Sequence, residues 1–199
     1  MQYQKYAAEF LGTFALTFCV WLSVIFEMPF MTTAVLASIT LGLFVYMVGG
    51  ISGAHLNPAV SIGILSAGKL KTNDAVMYVV CQLAGAAVAM TLGRLLTGGV
   101  ASVAADTTLV AGIAEALGAF FLTFAVMSVT LQKVPPAANG FVVGGSLLMG
   151  TYIAYHFSNA ILNPAVALGI SSFGPIEILG PIVGAVGGAW ARKSLEGGK

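Results

Sequence analysis

The segment "ILNPAVALG" at residues 161–169 interrupts an apolar region with an Asn-Pro pair, and "HLNPAVSIG" at residues 55–63 contains the same five letters. Asn is a preferred helix N-cap, and Pro is favoured at the first helical position because its missing N–H has no intrahelical partner there. Both segments therefore predict a helix start. The apolar piece that follows each Asn is about ten residues long, which is too short to span a bilayer but suits a re-entrant half-helix.

The composition indicates that most of the protein surface contacts lipid. The chain has 199 residues, of which 58% are hydrophobic and 8% are charged, whereas a soluble domain carries about 25% charged residues. A net charge of +1 gives no basic field for nucleic acid. Cys19 and Cys81 have no neighbours at metal-ligand spacing, and no catalytic constellation is visible. We therefore expect no metal, no cofactor, no nucleic-acid partner and no enzymatic activity.

The apolar segments predict six transmembrane helices, at residues 6–26, 32–50, 75–97, 108–131, 140–157 and 175–192. Seven of the eight basic residues then lie on one side of the membrane: Lys5, Lys69, Lys71, Lys133, Arg192, Lys193 and Lys199. The positive-inside rule makes that side cytoplasmic and places both termini there. We expect a multi-pass protein of the cell (plasma) membrane.

The two halves of the chain are related by an internal repeat. "AEFLGTFALTF" (8–18) matches "AEALGAFFLTF" (114–124), and the offset of 106 residues between Glu9 and Glu115 also separates Asn57 from Asn163. Each half contains three spans and one half-helix, so the halves cross the membrane in opposite directions. Inverted repeats of this kind place broken helices near the membrane midplane. The pattern predicts one transmembrane channel domain over 1–199, with repeat one about 1–100 and repeat two about 107–199.

Two half-helices that meet at their N-termini bring the amides of Asn57 and Asn163 together. Each helix N-terminus carries about half a positive charge, so a cation at this point is repelled. A neutral molecule with a lone pair meets two hydrogen-bond donors. The arrangement favours the passage of uncharged, hydrogen-bonding solutes.

The sequence resembles the aquaporin, or major intrinsic protein, family over essentially its whole length. The resemblance rests on "SGAHLNPAVSIG" (52–63), "NAILNPAVALG" (159–169) and the two Ala-Glu-x-Leu-Gly segments. It implies an all-α membrane protein with six transmembrane helices, two re-entrant half-helices and an inverted repeat, assembled as a homotetramer with one pore per protomer. The pore motifs are then Asn57, Pro58, Ala59, Asn163, Pro164 and Ala165.

The resemblance also implies which other groups serve the pore. Backbone carbonyls of the extended segments before each Asn line it, here those of Gly53, Ala54, His55, Leu56, Asn159, Ala160, Ile161 and Leu162. Glu9 and Glu115 lie within predicted spans, where a carboxylate needs partners. In the family such glutamates hold the re-entrant loops by hydrogen bonding. A proton relay through them is the alternative.

The outer selectivity filter departs from the family pattern. Members usually have an Arg directly after the second Asn-Pro-Ala, and here that position is Val166. The family spacing places the other filter positions at Ala37, Thr151 and Ala160, which predicts a wide, apolar filter. If the spacing differs in the loop before Asn163, a nearby aromatic narrows the pore instead: Phe157, Tyr152 or Tyr155.

These features predict a passive channel for water or small uncharged solutes of the size of glycerol, urea or ammonia. One alternative is a membrane junction or scaffold protein with a closed or residual pore, which would be expected to have long adhesive loops. Another is a poorly selective ion-conducting pore. A coupled transporter would be expected to carry a cluster of ion-binding acids at the midplane, and only the two repeat-related glutamates are present.

Overall fold

The computed structural model describes residues 2–196 and is all-α over them. Met1 and residues 197–199, including the predicted cytoplasmic charge of Lys199, lie outside the described residues. The helices are α1 Gln2–Ile25, α2 Phe30–Ser52, α3 Pro58–Ser66, α4 Thr72–Thr97, α5 Leu109–Thr130, α6 Asn139–Tyr155, α7 Pro164–Gly169 and α8 Pro175–Ser194. A 3₁₀ turn, Pro136–Ala138, precedes α6.

Six helices cross the membrane, and α3 and α7 are the two half-helices between them. Five helical segments within the described residues are long and apolar enough to span by length and composition: α1, α2, α4, α5 and the segment Pro136–Tyr155. The sixth, α8, is 20 residues long but has Glu177 in its first turn and Arg192 and Lys193 in its last. All three charges lie near the ends of the helix, so its middle remains apolar.

The spans differ from the predicted bounds by a few residues at their ends. The second span starts at Phe30, directly after Pro29, and continues to Ser52 rather than stopping at residue 50. Gly49 and Gly50 end the apolar pattern, but both stay helical because the chain turns only at Gly53, whose φ is 90°. A left-handed residue after the last helical one is a common way to end a helix, and Gly adopts it without a Cβ clash.

Each half-helix packs mainly against helices of the other repeat. The helix α3 contacts α8 and α5, while α7 contacts α4 and α1. Gly63 of α3 lies against Thr123 of α5, and the repeat-related Gly169 of α7 lies against Thr17 of α1. This exchange of half-helices places both Asn-Pro-Ala motifs inside the bundle.

The pairs α1–α4 and α5–α8 approach closely at repeat-related glycines. A Cβ on Gly85 would overlap the carbonyl oxygen of Phe10, and a Cβ on Gly184 would overlap that of Ala116. Small residues let membrane helices approach closely enough for their backbones to touch. These contacts fix where α1 and α5 hold the two glutamates.

We expect Gly184→Ala to lower the stability of the bundle. Its methyl group would have to push α8 away from the backbone of α5, and overpacking of this kind costs about 1–3 kcal/mol. The measurement is thermal unfolding in detergent. Gly145→Ala is the matched control, because a Cβ there meets nothing within 4 Å and alanine favours the helix. Equal unfolding temperatures for the two variants would contradict the close contact.

Candidate functional site

The two half-helices begin in the same way. The side-chain oxygen of Asn57 accepts from the Ala59 N–H at 2.9 Å, and that of Asn163 accepts from the Ala165 N–H at 3.0 Å. Pro occupies the first helical position in both. Each Asn is thus an N-cap, which leaves its NH₂ group pointing away from its own helix.

The NH₂ groups also join the two repeats. Asn57 Nδ2 donates to the Leu162 carbonyl at 2.9 Å, and Asn163 Nδ2 donates to the Leu56 carbonyl at 2.9 Å. From the sequence we expected both NH₂ groups to be free for solute. An NH₂ group has two donors, so one N–H of each Asn joins the two half-helices and the second is not needed for this contact.

The segments before each Asn are strained rather than simply extended. Left-handed φ values occur at Ala54 (49°), Leu56 (49°), Ala160 (52°) and Leu162 (55°). A left-handed conformation costs a residue with a Cβ about 1–2 kcal/mol. Such a backbone persists only where its surroundings hold it in place.

Glu9 holds the first of these segments. Its carboxylate accepts from the backbone N–H of His55 at 3.0 Å and of Leu56 at 2.7 Å. It also accepts from the Ser52 hydroxyl at 2.6 Å and from the Gln82 amide at 2.8 Å. Four donors thus converge on one fully buried carboxylate.

Glu115 occupies the equivalent place in the second repeat. It accepts from the backbone N–H of Ile161 at 3.0 Å and of Leu162 at 2.7 Å, and from the Ser158 hydroxyl at 2.9 Å. The backbone distances equal those at Glu9. The fourth donor has no counterpart, because the position of the second repeat that aligns with Gln82 is Pro181.

The four residues assigned to the outer filter all border one cavity. This cavity encloses about 180 Å³ and also reaches the two pore-motif asparagines; the filter residues on its wall are Ala37, Thr151, Ala160 and Val166. The Thr151 hydroxyl donates to carbonyls of its own helix, those of Leu147 at 3.0 Å and Leu148 at 2.9 Å. The ring therefore presents no side-chain donor to the cavity.

The aromatic residue on the cavity wall is not one that the sequence suggested. Tyr152, Tyr155 and Phe157 do not border the cavity, whereas Phe30 does. The Tyr155 ring stacks on Phe30 with centroids 3.6 Å apart. Phe30 precedes Ala37 by two helical turns, so both side chains lie on one face of α2. This spacing could have indicated from the sequence that Phe30 borders the same cavity as Ala37.

Two acidic residues that the sequence did not point to, Asp106 and Glu177, attach the second re-entrant segment to the loop before α5. The Asn159 N–H donates to Asp106 at 2.8 Å, and the Asp106 N–H donates to the buried Glu177. The Asn159 amide donates to the Ala104 carbonyl at 2.8 Å. The loop before α5 is thus attached to the segment that contains Ala160.

His55 lies between two cavities. It borders the outer cavity and also an inner one of about 340 Å³, which Val45 and Val143 share. Its Nδ1 is 3.1 Å from the Ser61 hydroxyl oxygen, and its ring contacts Tyr78 edge to face. The asparagine pair borders the outer cavity, and His55 borders both cavities.

Comparison with known proteins places this geometry in a family. The family model described as "Major intrinsic protein" matches residues 1–192. The chain belongs to the major intrinsic protein family. Membership in this family makes it a passive membrane channel for water and small solutes, and it does not favour a junction protein or an ion-conducting pore.

Several relatives of this major intrinsic protein are named aquaporins. It is 35% identical to Aquaporin NIP1-4 of Oryza sativa subsp. japonica over 97% of this chain and 77% of the relative. It is 34% identical to Nodulin-26 of Glycine max over 94% and 76%, and 32% identical to the probable aquaporin AqpM of Archaeoglobus fulgidus over 79% and 73%.

The fold is that of a solved channel. The X-ray structure of the aquaglyceroporin from Plasmodium falciparum superposes with a TM-score of 0.72 at 22% identity, covering 100% of this chain and 97% of the other. At this identity the likeness concerns the fold alone. The relatives are channels rather than enzymes.

Proposed function

We propose that uncharged solutes cross the membrane along the two cavities, past Asn57 and Asn163. The observation that carries this proposal is the pair of amides at the junction of the half-helices, each with one N–H used between the repeats and one left for a solute. Carbonyls of Gly53 to Leu56 and of Asn159 to Leu162 supply acceptors along the path. Those of Leu56 and Leu162 already accept one bond each.

We propose that cations are excluded at the same point. The N-termini of α3 and α7 converge there, and their dipoles and amide donors present positive potential from both directions. The carboxylates of Glu9 and Glu115 accept from backbone and side-chain donors of the re-entrant segments. A structural role for these glutamates fits their contacts better than a proton relay does.

We propose that the outer ring of Ala37, Thr151, Ala160 and Val166 discriminates weakly between small uncharged solutes. It lacks a fixed charge, and its hydroxyl is bonded to its own helix. Water and solutes of the size of glycerol, urea or ammonia then pass this ring with little selection. The family's usual Arg would supply a positive charge and several donors there.

We further propose a homotetramer in the plasma membrane with both termini cytoplasmic and with repeats at about 1–100 and 107–199. Charged contacts gather at the end of the bundle where the described chain begins and ends, including Lys5–Asp74 at 2.7 Å and Lys193 Nζ to the Ala67 carbonyl at 2.8 Å.

Apolar side chains are exposed along α2, among them Ile39 and Leu43. Such a face suits lipid or another protomer.

Solute permeability of Val166→Arg proteoliposomes tests the proposed filter. Arg at this position fills the outer ring and adds donors, so we expect glycerol and urea permeability to fall several-fold and water permeability to fall less. Stopped-flow light scattering measures all three rates. Val166→Leu adds bulk without charge and is expected to change the rates less. If both variants match the wild type for every solute, residue 166 does not contact the permeating solute.

A further inference from the structure

The outer ring has a repeat-related counterpart on the other side of the asparagine pair. An offset of 106 residues relates each member of the outer ring to one apolar residue, and two of these four residues border the inner cavity. We call these four residues the inner ring: Val143 (for Ala37), Val45 (for Thr151), Ala54 (for Ala160) and Val60 (for Val166). All of them belong to the same buried apolar cluster as Ala37, Ala160 and Val166.

The inner ring is the bulkier and the less polar of the two. Val143 has two more carbon atoms than Ala37, and Val45 replaces the hydroxyl of Thr151 by a methyl group. The other two positions carry the same residue types in both rings. A solute at the inner ring therefore has less room and one polar group fewer.

Burial shows the same asymmetry. All four outer-ring residues border the outer cavity and are 4–7% exposed. In the inner ring, Ala54 and Val60 are 1% exposed and Val143 is 2% exposed. Only Val45, at 8%, matches the outer ring. Three of the four inner-ring residues are thus less accessible than any residue of the outer ring.

His55 is the polar side chain next to the inner ring. It takes the place that Ile161 has at the outer ring, and it borders both cavities. The contacts of its ring with Ser61 and Tyr78 hold it in position, and the Nδ1 atom is the one engaged. The Nε2 atom is then the polar atom available to a solute that has lost its hydration shell.

We propose that the inner ring, together with His55, sets the size limit of this pore, and that the outer filter position does not. This inference rests on the proposed function. Water passes the inner ring by exchanging hydrogen bonds with His55 and the nearby carbonyls, whereas glycerol and urea are slowed by Val45, Val60 and Val143.

Exchanging the composition of the two rings tests this proposal. Val45→Thr/Val143→Ala gives the inner ring the composition of the outer one, and Ala37→Val/Thr151→Val does the reverse. Glycerol, urea and water permeabilities are measured in proteoliposomes, with gel filtration and thermal unfolding to show that each protein is folded. Val143→Ala alone serves as a milder variant, because it opens the ring without adding a polar group.

The two double variants are expected to behave differently. The inner-ring variant raises glycerol and urea permeability several-fold and water permeability less. The outer-ring variant adds a second, similar barrier in series and lowers the rates by no more than about two-fold. An unchanged inner-ring variant together with a several-fold loss in the outer-ring variant would place the limit at the outer ring and overturn the proposal. Wild-type rates equal to those of empty liposomes would instead refute the proposed channel function.

Discussion

Glu9→Ala is expected to abolish most of the folded, conducting protein. The substitution leaves the buried backbone N–H groups of His55 and Leu56 without their acceptor, at a cost of about 1–3 kcal/mol each. It also removes one acceptor each from Ser52 and Gln82 and frees the left-handed residues of the segment to relax. A typical protein is stable by only about 5–15 kcal/mol, so this loss is severe. The loss of folded, conducting protein is measured by the monodisperse yield in detergent, by thermal unfolding and by water permeability.

Two further variants make this expectation specific. Glu115→Ala leaves three donors without an acceptor, whereas Glu9→Ala leaves four. We therefore expect Glu115→Ala to cause a large loss of folded protein, but a smaller one than Glu9→Ala. Glu196→Ala is the control, because this residue lies just beyond the end of α8 and forms two long ion pairs, with exposed Lys133 at 3.2 Å and with Arg192 at 3.6 Å. A Glu9→Ala protein as stable and permeable as the control would show that the carboxylate does not hold the re-entrant segment.

Asn57→Asp and Asn163→Asp are expected to lower water permeability strongly and to weaken the exclusion of cations. A carboxylate has no donor for the opposite carbonyl, so the bonds to Leu162 and Leu56 are lost and two acceptors face each other. Its negative charge also offsets the positive ends of the two half-helices. Water flux is measured by light scattering, and proton flux by a pH-sensitive dye inside the same vesicles.

Asn73→Asp is the matched control for this pair. Asn73 is exposed in the first turn of α4, where a negative charge is favourable. The control is expected to keep wild-type water and proton rates. The central role of the amides is refuted if either pore-motif variant behaves like the control in both assays.

The sequence predicted the positions of the half-helices well, because Asn-Pro is both an N-cap and a first-turn signal. The repeat offset related Glu9 to Glu115 and Asn57 to Asn163, and the hydrogen bonds that these side chains make with the two re-entrant segments are equivalent. The bonds from each Asn to the other repeat were not foreseen. Their acceptors are backbone carbonyls, which every residue has, so no side chain marks them.

Other features lacked a readable signal for different reasons. The left-handed residues Ala54 and Leu56 are not Gly or Asn, so nothing in their identity indicates that backbone conformation. Asp106 and Glu177 lie outside the part of the repeat that aligns without a gap, and their roles have no counterpart to suggest them. The difference between the two rings was visible in the sequence, but only the structure showed that three of the four inner residues are nearly sealed.

The osmotic shrinkage rate of proteoliposomes that contain the wild-type chain tests most directly whether solutes pass between the two asparagines. Stopped-flow light scattering compares it with the rate of empty liposomes of the same lipid and size, and with that of the Asn57→Asp protein. We expect the wild type to shrink several-fold faster than empty liposomes and the variant to fall back towards them. A folded wild-type protein that shrinks no faster than empty liposomes would contradict the proposed pore.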